Sequence, residues 1–202
     1  MTHSSAASHE SYPDMHHDTY SKTVFGFWVY LLTDFVLFGT FFAAYAVLRN
    51  GTYGGPSAKD LFHISFTLTQ TLILLTSSLT SGLAGAYAFR KNKNGTIALF
   101  LITFLLGMVF MVMEFMEFSQ LIHQGYSWKT SAFLSAYFTA IGTHGVHILF
   151  AMLWIIVLLV PLYREGFKPQ SLQRLTCLRL FWQFLNVIWI FIFSFVYLLG
   201  VS

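Results

Sequence analysis

Residues 24–48 read VFGFWVYLLTDFVLFGTFFAAYAVL, an apolar run interrupted by one carboxylate, Asp34. A run of this length forms a helix that crosses the roughly 30 Å hydrocarbon core of a bilayer, for which about 20 residues suffice. The fold class therefore follows from it: a transmembrane helix, and a chain whose chemistry is to be sought inside a membrane. A carboxylate near the middle of such a helix is costly unless it is protonated or given a polar partner. Asp34 is accordingly the first candidate for a functional residue.

Four more runs of the same kind occupy residues 66–89, 96–118, 132–160 and 180–199. The composition agrees, with 56 % hydrophobic residues, 23 Phe, only 9 % charged residues and a mean hydropathy of +0.65. That is a membrane protein's composition. Between the runs lie turn-forming stretches, Asn50-Gly51-Thr52-Tyr53-Gly54-Gly55-Pro56 and Arg90-Lys91-Asn92-Lys93-Asn94-Gly95. The expected architecture is all-α, a five-helix transmembrane bundle over residues 24–202 behind a polar, mobile tail, residues 1–23. The longest polar connection, 49–65, is too short for a second domain.

Eight of the eleven Lys and Arg fall before Val24, around 90–93 and within 164–179, segments that alternate onto one side. By the positive-inside bias that side is cytoplasmic, which places the N-terminus inside and the C-terminus in the periplasm. The tail holds His3, His9, His16 and His17 with Glu10, Asp14 and Asp18, but no basic start and apolar run of a signal peptide. The first span then acts as its own insertion signal. The formal charge of +3 records positive-inside Lys and Arg rather than affinity for nucleic acid. Cys177, the single cysteine, forms no internal disulfide and reads as a packing residue.

Small residues recur along the spans, among them Gly39, Ala43, Ala44, Ser77, Ser78, Ser81, Gly82 and Gly85. Such residues permit close helix contact and supply hydroxyls for interhelical bonds. Asp34 reads either as a proton-exchanging or headgroup-facing acid, or as a buried hydrogen-bonding group that fixes packing. Glu114 and Glu117 share a helix face near the outer end of the third span, where a shallow, interfacial or partner-contact role is the simpler reading; acid/base work or a metal pair would need a matching constellation on another span. His144 and His147, also three apart, suit hydrogen bonding between helices; haem ligation would need a second ring from another helix. Gln183 and Asn186 form a polar face on the last span that bonds without titrating. Arg174 and Arg179 before it can reach anionic lipid headgroups. Glycine-rich phosphate loops, paired cysteines and zinc signatures are missing from the sequence.

These residues carry a family resemblance. Phe25-Gly26-Phe27-Trp28 with Leu32-Thr33-Asp34, then Gly142-Thr143-His144-Gly145-Val146-His147, then Phe181-Trp182-Gln183-Phe184-Leu185-Asn186-Val187-Ile188-Trp189, look like subunit III of the haem-copper terminal oxidases. Five spans, the short histidine-bearing tail, and Asn50-Gly51 with Gly54-Gly55-Pro56 and Lys59-Asp60 make the chain most similar to subunit III of bacterial cytochrome o ubiquinol oxidases. The resemblance implies a non-catalytic subunit of the bacterial inner membrane, with no cofactor of its own. It implies haems and copper in the partner subunit I, direct packing against that subunit, and subunits II and IV in the same complex. Bound phospholipid in a V-shaped cleft between the helices is implied too. Asp34 matches the family's intramembrane carboxylate near that cleft, Glu114 its acidic position, and His144 and His147 its Gly-rich histidine motif. Gln183 and Asn186 depart from the family, which more usually has His and Asp there. The alternatives are the same subunit in a cytochrome c oxidase, a small transporter using Asp34 as carrier carboxylate, or a haem protein using His144 or His147.

Overall fold

The computed structural model describes residues 15–49, 51–52, 64–167, 169–198 and 200, with side chains from residue 22 onward. The tail residues His3, His9, Glu10 and Asp14, the loop positions Gly54, Gly55, Pro56, Lys59, Asp60 and His63, and the C-terminal Val201-Ser202 lie outside these residues. Five helices follow one another: α1 (Met15–Leu48), α2 (Ile64–Phe89), α3 (Lys93–His123), α4 (Ala132–Glu165) and α5 (Pro169–Ile192). A six-residue π-helical segment, Phe193–Leu198, continues α5. All five are long and apolar enough to cross a membrane.

Hydropathy located the helices but not their ends. Helix α1 runs for 34 residues and begins at Met15, ahead of the apolar run that opens at Val24. At 1.5 Å per residue it is about 50 Å long, so it outruns the hydrocarbon core. The chain turns between α2 and α3 through Lys91 at φ 55°. Asn92 then caps α3 by accepting the Gly95 N–H at 3.1 Å. Ser131 caps α4 in the same way, accepting from Leu134 at 3.2 Å. Gly166, at φ 76°, ends α4 in a conformation that side chains resist.

Helices α2 and α3 pair as a hairpin, α5 packs against both α2 and α4, and α4 also meets α3. Helix α1 leans chiefly on α4 and α5 and is the edge of the bundle. The outward faces present Leu, Val, Ile and Phe, including Leu32, Leu72, Leu105, Val146 and Phe191, as lipid contact demands. Polar groups gather inside, among them Gln70, Thr71, Ser77, Thr103, Glu114, His144 and Asn186. Lipid tails are as apolar as Leu, so burying Leu contributes little here and close packing with hydrogen bonds must hold the helices. Gly107 shows how close: a Cβ there would stand 2.7 Å from the Trp182 indole.

Candidate functional site

Three polar groupings account for the candidate residues. The first joins α5 to α2. Trp182 donates its indole N–H to Ser77 Oγ at 3.1 Å, and two turns on Trp189 donates to Thr71 Oγ1 at 3.1 Å. On the neighbouring face Gln183 accepts from the Ser78 hydroxyl and returns its amide N–H to the Ser78 carbonyl at 2.9 Å. Gln183 is thus an interhelical clamp, whereas Asn186 turns its amide back to the Trp182 carbonyl of its own helix at 2.8 Å. Ser77 and Ser78 are among the residues whose hydroxyls the sequence offers for interhelical bonds, whereas Thr71 is not; Trp in the same register as the small polar residues of α2 was the available signal.

The second grouping is Asp34 and the histidines. His144 is fully buried and donates Nε2–H to the Leu185 carbonyl at 3.1 Å, an α4–α5 bond of the kind its position suggested. His147 diverges from it. Its Nδ1 faces the Thr143 carbonyl at 2.8 Å; a carbonyl only accepts, so Nδ1 carries the hydrogen. Nε2 is left facing Asp34 Oδ2 at 3.8 Å, with the two side chains 18 % and 12 % exposed. Tyr30 stands one turn before Asp34 on the same helix. Phe38 covers His147 at 5.4 Å between ring centroids. Asp34 therefore sits between α1 and α4 with a histidine facing its carboxyl, rather than alone in an apolar interior.

The third grouping lies at the end of the bundle where α3 gives way to α4. Tyr137 and Tyr197 both donate to Glu117 Oε1, each at 2.9 Å, with their hydroxyl oxygens 3.1 Å apart. Tyr197 reaches this point from the π-helical segment, which is further tied to α1 by the Tyr45 hydroxyl donating to the Val196 carbonyl at 3.1 Å. Glu114 does not behave as the shallow, interfacial residue expected of it. It is only 3 % exposed and lies against Gly145, where a Cβ would meet its Oε1 at 3.0 Å. The expectation failed because distance from the helix end says nothing of rotation toward a neighbour.

The arginines sit at the opposite end. Arg179 folds over Gly85 and stacks its guanidinium above Phe89 at 5.8 Å. Arg174 is exposed and lines a cavity of about 130 Å³ with Pro161, Glu165, Gln170 and Ser171. Cys177 is buried among packing residues. Gly39, one of the small residues that permit close helix contact, meets no neighbour here: nothing lies within 4 Å of a Cβ built on it. Among the described residues, no three His, Cys, Asp or Glu converge on a point where a metal ion could be held.

A multi-pass helical bundle whose polar residues bond helix to helix has the form of a membrane-complex subunit. Its sequence places it: the pattern of the family described as cytochrome c oxidase subunit III matches residues 6–201, and the chain belongs to that family. It is 48 % identical to the cytochrome bo(3) ubiquinol oxidase subunit 3 of Pseudomonas aeruginosa, over 93 % of this chain and 90 % of that protein. It is 37 % identical to the quinol oxidase subunit 3 of Bacillus subtilis, over 100 % and 99 %. It is 41 % identical to the cytochrome c oxidase subunit 3 of Bacillus sp. strain PS3, over 87 % and 84 %. Subunit III of the haem-copper oxidases is catalytically inert, and this chain is a respiratory subunit of that kind, spanning the bacterial inner membrane.

Proposed function

We propose that the chain is the non-catalytic subunit III of a proton-pumping quinol oxidase, in which it packs against subunit I and supports its assembly and durability. The observation that carries the reading is 48 % identity to a ubiquinol oxidase subunit 3 over nine-tenths of both chains. A relative of the same name class in Bacillus subtilis, matched over 100 % of this chain, favours quinol as the electron donor. The cytochrome c oxidase subunit 3 of Bacillus sp. strain PS3, at 41 % identity, supports the second reading, the same role in a cytochrome c-oxidising complex.

In this reading the N-terminus is cytoplasmic and the C-terminus periplasmic, haems and copper belong to subunit I, and subunits II and IV complete the complex. Arg174 and Arg179 then lie at the cytoplasmic surface, where basic side chains meet anionic lipid headgroups. Asp34, at the α1–α4 rim, is a hydrogen-bonding acid beside lipid. Glu114, His144, Gln183 and Asn186 act in packing. Purification of the native complex in mild detergent through this chain tests the proposal. A co-purifying partner with two haems and copper that oxidises ubiquinol supports it; recovery as an isolated, active carrier overturns it.

A further inference from the structure

The α2–α3 hairpin is held in register where the hydroxyl oxygens of Thr80 and Thr103 lie 2.8 Å apart. Carried by equal steps along both helices toward the α3–α4 turn, that antiparallel register brings Gln70 level with Met113, beside Glu114. Gln70 is 0 % exposed and Glu114 3 %. Neither amide atom of Gln70 and neither carboxyl oxygen of Glu114 has a hydrogen-bond partner among the protein's own atoms. The same holds for Nδ1 of His144 and Oδ1 of Asn186, both in buried residues.

Gln70, Glu114 and His144 lie around Trp189. Trp189 stacks on His144 at 5.2 Å and meets Phe110, one turn before Glu114, at 4.7 Å. Its N–H bonds Thr71, the neighbour of Gln70. Glu114 itself touches Gly145, the neighbour of His144. Helices α2, α3 and α4 thus each bring a polar group with unused hydrogen-bonding capacity close to Trp189 of α5. Leaving such groups bare forfeits their full hydration, and folded proteins meet the cost with ordered water, which takes two to four polar partners.

We propose that α2–α5 enclose an internal water site in which water bridges the Gln70 amide and the Glu114 carboxyl. His144 Nδ1 is a further acceptor for it. His144 suits this role because its Nε2 is already committed as donor to Leu185, which leaves Nδ1 an acceptor. One turn beyond Glu114, the partly buried Glu117 with Tyr137 and Tyr197 continues the polar grouping toward the α3–α4 turn. The site stands whichever electron donor the complex oxidises.

A map of the intact complex fine enough to show ordered water is the test, joined to thermal melts of variants. Density within hydrogen-bonding distance of both Gln70 and Glu114 is expected, and it persists in Glu114→Gln, which keeps the shape and polarity. Gln70→Leu and Glu114→Leu are each expected to lower the melting temperature by a few degrees, and the double variant to recover part of the combined loss, since it leaves no orphaned partner. A direct Gln70–Glu114 contact, a gap without density, or losses in the double variant that add fully would overturn the proposal.

Discussion

Asp34 and Glu114 are both carboxylates within apolar spans, yet the bundle treats them oppositely. Asp34 is near mid-span in the sequence but lies at the edge of the bundle where α1 meets α4, its side chain 12 % exposed and His147 at 3.8 Å. Glu114 is nearer a helix end but wholly enclosed, against the backbone of Gly145. Depth along a helix and enclosure among helices are separate variables, and only the first is written plainly in hydropathy. The interior around Glu114 and Trp189 is built for close fit; the face of α1 around Gly39 is open.

Substitutions in the interior should therefore cost far more than substitutions on the rim. Gly107→Val presses a branched side chain into the Trp182 ring, already 2.7 Å from where a Cβ would stand. Overpacking of this kind costs about 1–3 kcal/mol, and thermal unfolding of the purified complex should show a loss of that size. Trp189→Phe removes the N–H bond to Thr71 and should cost about 1 kcal/mol in the same assay. Asp34→Asn keeps the shape and a donor for the rim, so assembly should persist on native gels. The expected defect is lipid retention or sustained turnover; complete loss of assembly would make Asp34 a packing residue like those inside. Gly39→Ala, with open space around it, should change stability within about 0.5 kcal/mol. A larger loss would mean that a partner helix occupies that face and that the rim is not open in the complex.

The five spans were legible because lipid requires long apolar runs, and the runs carry almost no charge. The start of α1 at Met15 was not, because a helix that leaves the bilayer continues in polar residues that hydropathy does not register. His144 and His147 show a finer limit. Residues three apart share a broad helix face, but the remaining rotation of about 60° suffices to put His144 in the core and His147 on the rim beside Asp34. Nothing in Phe193-Ser194-Phe195-Val196-Tyr197-Leu198 announces a π-helical segment, although it is what carries Tyr197 to Glu117. The interhelical pairs Trp182–Ser77 and Gln183–Ser78 depend on how α5 is rotated against α2, which only the packed bundle fixes.

Deleting this chain from the complex tests its role as a supporting subunit most directly. Haem absorption bands and the rate of ubiquinol oxidation should be followed in membranes with and without it. The account predicts normal haem bands in the complex that still forms, an initial rate per haem close to that of the intact enzyme, and a faster decline during turnover. Loss of a haem band, or an initial rate abolished in complexes that retain their haems, would contradict it.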